Sequence, residues 1–423
     1  MTPVQDRGTP EVAGAVPTVR RQVRAVIDTN RDRLVALSQA IGHDPELAFE
    51  EHRASARVAD FLEAEGFEVV RGVYDLPTAV EATYGTGEVT VAVLGEYDAL
   101  PGIGHACGHN IIAAAGVGAA LGLRAVADRL GIRVKFLGTP AEELGGGKIL
   151  MLQRGAWDDA TFSLMVHGGP FAQMVSRGIT TQAYERIVAT FRGKTAHAAF
   201  APHDGVNAGD AITLTQVGLG LLRQQLRRTV TVGSFVVEAG TATNVIPETG
   251  VVEVEIRGIA EGEWNDARAR VRRVLEGAAL ASGCELETAQ PELPYAPLRH
   301  DDDLADLFDK VMVEELGYEL TPQPDGGTLG STDMGNVSQY LPSIHPMIAL
   351  LGVEATPHHQ SFAAAAVSPA GDRAVIDGAT ALALAAAAAV EDDVIRRRLL
   401  ADQRGRPRYQ DSHGQALGVP VAR

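Results

Sequence analysis

Apolar positions along this chain follow two patterns. Four short runs are mostly apolar: Val89–Leu94, Val134–Leu137, Phe162–Val166 and Met347–Leu351. Largely apolar runs of this length predict strands covered on both faces of a sheet. A longer stretch, Asn110–Leu130, separates the first two and predicts a helix, which gives the spacing of an α/β unit. Helices are also predicted from near Thr18 through Leu34–Ile41, over Asp303–Leu316, and over the alanine-rich Ala379–Ala389. The last reads as buried or half-buried, since alanine is the strongest helix former.

The middle of the chain reads differently. Ala183–Phe191 alternates in places, and a helix with one apolar face follows over Val206–Leu226. Strand-like Thr229–Val237 and Gly250–Arg257, a helix over Glu263–Ala281 and a strand near Cys284–Thr288 complete the segment. The order βαββαβ is that of a ferredoxin-like domain. The expected organisation is an α/β domain in two parts, residues 1–182 and 298–423, interrupted by an α+β domain at 183–297. Residues 1–16 read as a disordered lead-in, and the chain from about Arg404 reads as a frayed polar tail.

A length of 423 residues fits two or three domains and a large core. Two cysteines, Cys107 and Cys284, exclude a fold built on disulfides. The formal net charge of -17 argues against nucleic acid and anionic membranes as partners. The longest apolar runs, Ile111–Leu123 and Ala381–Val390, fall short of the roughly 18 residues of a spanning helix. Met1–Arg20 has no apolar stretch of the signal-peptide kind, so a cytoplasmic location is expected.

Titratable residues gather just beyond the apolar runs, at the sheet edge where α/β folds bind ligands. Gly95-Glu96-Tyr97-Asp98 follows the first, with His105-Ala106-Cys107-Gly108-His109-Asn110 close behind. Histidine and cysteine thiolate are good ligands for zinc-like metals, although a buried free cysteine among surface histidines would show the same letters. Thr139-Pro140-Ala141-Glu142-Glu143 follows the second run and leads into Leu144-Gly145-Gly146-Gly147. Two adjacent carboxylates are costly to bury without a shared cation or proton. One can ligate a metal while its neighbour takes a proton from water. His167 closes the third run, and His358-His359 follows the fourth, with spacing alone leaving open which imidazole is used. In the middle segment, His197 lies in Gly193–Ala198, Asn244 in Thr243–Pro247, and Arg257 closes a strand. An amide and a guanidinium suit a substrate carbonyl or carboxylate, and solvated loop residues would look the same.

Taken together, Gly95–Pro101, His105–Asn110, Thr139–Gly147, Gly193–Ala198 and Thr243–Pro247 resemble the M20 metallopeptidase and amidohydrolase family. The His-Ala-Cys-Gly-His form resembles its subfamily D, and Gly330–Ser338 resembles the aminoacylase-1-like subgroup. The resemblance spans about residues 25–395. It implies a catalytic α/β domain with a mixed central sheet and an inserted ferredoxin-like domain acting as lid and dimerisation module. It further implies two divalent ions, zinc first and manganese or cobalt as alternatives, held by Cys107, His109, Glu143, His167 and His358. His358 is preferred to His359 because the family's last motif, His-x-x-x-Phe, fits His358 to Phe362. Glu142 would be the general base, and Asp98 would orient a ligand. His197, delivered from the neighbouring subunit of a homodimer, would stabilise the oxyanion, with Asn244 near the same point. Arg257, Ser331 and Thr332 would line the substrate pocket. Many relatives carry His-x-Asp where this chain has Glu96-Tyr97-Asp98, so a histidine ligand is missing there and Glu96 is a further ligand candidate.

The function expected is metal-dependent hydrolysis of a dipeptide or N-acyl amino acid, with a basic C-terminal residue suggested by the subgroup. Two other readings compete. A metal-free cysteine amidase would use Cys107 as nucleophile and His105 or His109 as base, leaving Glu142-Glu143 without a task. A non-catalytic scaffold of the same fold would have lost the base or ligands that are present here.

Overall fold

The computed structural model describes residues 18–169, 172–323 and 329–409. The 1–16 lead-in and the tail beyond residue 409 lie outside the described residues.

A six-stranded sheet organises the larger domain. Its strands are β1 (Glu68–Arg71), β2 (Val80–Tyr84), β3 (Val89–Glu96), β4 (Ile132–Thr139), β5 (Phe162–Leu164) and, far along the chain, β11 (Ser343–Ile344). Their order is β1-β2-β4-β3-β5-β11. β1, β2 and β4 pair antiparallel, and β4, β3, β5 and β11 pair parallel, so the sheet is mixed. All of β3 is buried. Its period of two sends Val91 and Val93 to one core and Ala92 and Leu94 to the other. The first core takes in helices Val19–Thr29, Arg31–Gly42, His109–Arg124, Asp302–Glu314 and Pro369–Glu391. The second takes in Gly147–Gln153 and Met334–Tyr340.

Several expected elements are revised. The single helix from Thr18 to Ile41 is two, because Asn30 leaves helical geometry and turns its backbone and side-chain N–H groups onto Val26. The third apolar run ends as a strand at Leu164. His167 instead opens β6 (His167–Gly169), which pairs in parallel with β12 (Met347–Ala349) as a separate two-stranded sheet. The tail is not frayed from Arg404: the last helix, Asp393–Gly405, runs past it, Arg406 bonds the Ala160 and Thr161 carbonyls, and Tyr409 is buried. Pro369–Glu391 is also longer than the alanine tract suggested. By length and composition it is apolar enough to cross a membrane, yet it packs at the centre of the first core against His109–Arg124.

The middle segment forms β7 (Ala183–Arg192), β8 (Val230–Glu238), β9 (Thr249–Gly258) and β10 (Glu285–Ala289), with helices Ala208–Arg223 and Glu261–Ser282 between them. The sheet order is β10-β7-β9-β8, antiparallel throughout, over its own apolar core around Phe191, Val254 and Trp264. β8 is an edge strand.

Candidate active site

The loop after β3 and the helix it enters supply the first donors. Gly108 takes φ +76 between Cys107 and His109, a left-handed turn that suits glycine and reverses the chain into the helix His109–Arg124. Asp98 lies behind this turn. Its Oδ1 holds His109 Nδ1 at 2.9 Å and its Oδ2 accepts the Glu143 amide at 2.9 Å. One buried carboxylate therefore sets the imidazole of one element and the backbone of another. Burial works to push Asp98 up, but the His109 ring and these bonds hold it below the usual carboxylate range.

His109 Nε2 faces the opposite way. It lies 3.7 Å from Glu143 Oε1 and 3.9 Å from Glu142 Oε2. His167 places Nδ1 on the Gly168 carbonyl at 2.8 Å, which leaves Nε2 facing Cys107 Sγ at 3.7 Å. His358, with φ +63 and its amide on the Ala106 carbonyl, sets Nε2 3.6 Å from Glu143 Oε2. His359 instead caps the helix Gln360–Ala366 by accepting the Ser361 amide. Among the described residues, four donor triads have atoms within 4.8 Å of one another, and two of them, Cys107/His109/His167 and Cys107/Glu143/His358, share Cys107, the others being His109/Glu142/Glu143 and Glu96/Glu142/Asp333.

Buried donors without partners show what this arrangement lacks. His109 Nε2 and Glu143 Oε1 have no hydrogen-bond partner. Glu142 is pushed well above the usual range by burial first and then by Glu96, Glu143 and Asp333. Burial likewise pushes the Cys107 thiol up, the reverse of an activated cysteine nucleophile. A divalent cation in each triad that contains Cys107 would meet the free donors, favour the thiolate and relieve the carboxylates. The residues present fit such ions.

Glu96 is divided between two neighbours: its Oε2, without a hydrogen-bond partner, lies 3.5 Å from His109 Nε2, and its Oε1 turns to a lysine. Glu96 and Asp333 both pair with the ammonium of Lys148, all three fully buried, with Asp333 Oδ1 at 2.7 Å. Burial would strip Lys148 of its proton, but Asp333, Glu96 and Glu142 outweigh it and hold the charge. The ammonium thus serves the carboxylates behind Glu142. Removing one partner of a buried pair of this kind costs about 3–5 kcal/mol.

A cavity of about 310 Å³ opens on these groups. Cys107, Glu142, Glu143, His167 and His358 line it at the donor end, and Ser331, Thr332, Leu298 and His345 line it elsewhere. His345 is buried with neither ring nitrogen partnered, and sequence reasoning missed it, as it missed Lys148 and Asp333. Arg257 lies outside the cavity lining. It sits over the Tyr184 ring, pairs with Glu255 at 2.6 Å and reaches Ser331 Oγ at 3.4 Å. His197 and Asn244 are exposed on the inserted domain and are not brought to the cavity of their own chain. The His197 Nδ1 accepts the Ala199 and Phe200 amides.

The model of peptidase family M20/M25/M40 matches residues 92–389, more than half of the chain. The chain belongs to this family. An Xaa-Arg dipeptidase of Mus musculus is 36% identical over 406 residues, covering 91% of this chain and 93% of its own length. A p-aminobenzoyl-glutamate hydrolase chain of Escherichia coli is 32% identical over 329 residues, 72% of this chain and 66% of its own. A solved Bacillus subtilis structure, described as a dinuclear metal binding peptidase of family M20, superimposes with TM-score 0.68 at 23% identity, covering 86% of this chain and 99% of that one. The last shows the shared fold. This M20 protein is a hydrolase of amide or peptide bonds.

Proposed function

We propose that this M20 hydrolase is a dinuclear metal-dependent dipeptidase acting on dipeptides with a basic C-terminal residue, within a wider range of N-acyl amino acids. The observation that carries the reading is the pair of donor triads sharing Cys107, with Glu142 beside them at the cavity wall. Cys107, His109, His167, Glu143 and His358 would hold two divalent ions. Thiolate and imidazole favour zinc, and manganese and cobalt suit the same donors. When bound, such ions polarise the scissile carbonyl and make a water acidic enough to lose a proton near neutral pH. Glu142 takes that proton and returns it to the leaving amine. Ser331 and Thr332 line the path of the substrate, and Arg257, beside Ser331, suits its carboxylate.

The substrate class follows from the relatives: one is named for arginine at the C-terminal position, the other for an aroyl glutamate. The net charge of -17 favours the cationic choice. A metal-loaded enzyme assayed against Xaa-Arg, Xaa-Lys, Xaa-Glu and N-acetyl amino acids, with product amines quantified, should give its highest kcat/KM on the basic dipeptides. Equal or better turnover of the acidic and N-acetyl substrates would contradict the specificity.

The assembly we propose is a homodimer. The edge strand β8 exposes Phe235, Val236 and Val237, a row of apolar groups on an unpaired edge of the kind that pairs with another chain. In such a dimer, His197 and Asn244 can serve the partner's cavity, His197 as the oxyanion donor. Mixing inactive Glu142→Gln and His197→Ala chains should then restore part of the activity, because each mixed dimer holds one site with both groups intact. Absence of activity despite demonstrated subunit exchange would contradict delivery in trans. A thiolate ligand also suits a reducing compartment, consistent with a cytoplasmic location.

A further inference from the structure

Besides His358, two residues other than glycine near the active site have left-handed backbone, Phe49 at φ +65 and Ala141 at φ +59. A side chain bearing Cβ disfavours that region, so something must hold each in place. Both amides donate to the same atom. Phe49 N–H and Ala141 N–H reach Glu51 Oε1 at 2.9 Å each, and Glu51 Oε2 accepts the Thr78 hydroxyl at 2.7 Å. Glu51 is 0% exposed, so solvent does not compete for these bonds.

The two strained residues bracket the catalytic pair. Ala141 directly precedes Glu142. The Phe49 ring packs on Gly145, two residues past Glu143, where an added Cβ would fall 2.4 Å from the ring and φ is +129. One buried carboxylate therefore fixes the backbone before Glu142-Glu143 directly and the backbone after it through Phe49. Glu51 does not line the cavity, so it touches no substrate and acts on the site from behind that loop.

We propose that Glu51 is a positioning residue that sets the Glu142-Glu143 loop in its working conformation. The proposal rests on the reading of Glu142 as base and Glu143 as ligand.

The test compares Glu51→Ala, Glu51→Asp and Glu51→Gln, each alone, and the first two also with Ala141→Gly. All are assayed as metal-loaded enzyme below the unfolding temperature measured for each variant. Glu51→Ala should lower kcat by about tenfold to a hundredfold, the scale of a misplaced catalytic group, with KM little changed. Glu51→Gln, whose side-chain oxygen can still accept both amides, should keep most of kcat. Ala141→Gly should recover part of the loss, because glycine adopts the left-handed turn without strain. If Glu51→Ala does not fold, the shorter Glu51→Asp carries the same expectation with a smaller loss. Folded Ala or Asp variants with normal kcat, a Gln variant as impaired as Ala, or no recovery with glycine would each overturn the proposal. An inactive Glu142→Gln beside normal Glu51 variants removes only the positioning role, whereas an active Glu142→Gln removes the reading beneath it.

Discussion

Glu142→Gln should retain its fold and its metal and lose about two to four orders of magnitude in kcat. The amide is isosteric with the carboxylate but cannot accept the proton of the attacking water. The surroundings argue that the native carboxylate is held for that task. It lines the cavity, its carbonyl is fixed by the Tyr295 hydroxyl at 2.6 Å, and its own charge is disfavoured by burial and by Glu96, Glu143 and Asp333. The isosteric change should leave stability unchanged while turnover falls. Steady-state kinetics with circular dichroism and metal analysis would check this, and near-normal kcat would take Glu142 out of the role.

Cys107→Ser should cost both ions rather than one. Cys107 is the donor common to the two triads, and a neutral hydroxyl is a much poorer ligand than a thiolate. Metal content and activity should therefore fall together by orders of magnitude, and excess metal should restore only part of the activity. The variant also separates the metal reading from a cysteine amidase. A cysteine amidase would lose turnover in Cys107→Ser at any metal concentration, and its wild-type form would be indifferent to a chelator. Full metal content with full activity in Cys107→Ser would make the cysteine structural.

How far the sequence alone carries the site depends on the distance between partners. The Cys107-Gly108-His109 and Glu142-Glu143 pairs were legible because each pair's donors are close neighbours in the chain and follow a strand. The preference for His358 came from the family resemblance, whose last motif fits His358 to Phe362, and the fold shows the local reason in His359, which is occupied as a helix cap. The Lys148 ion pairs were not legible, because Glu96 and Asp333 lie 52 and 185 residues away and a lysine after three glycines reads as a solvated turn. Glu51 hides in the same way: it bonds Ala141 across 90 residues, and an acid before a helix reads as an exposed cap. His167 was misplaced at the end of a strand because a mostly apolar run does not show where β5 stops and β6 begins. The buried strands and the βαββαβ segment follow from periodicity that local residues determine, the mixed character of the sheet came with the family resemblance, and a site assembled from distant loops needs the fold itself.

The central claim is that two ions, held through Cys107, are required for turnover. The most direct test is metal titration of the chelated wild-type protein, following activity and bound metal per chain together. The account predicts an inactive metal-free protein whose activity rises with added metal and saturates at two equivalents per chain. Full turnover by protein shown to be free of metal would contradict it.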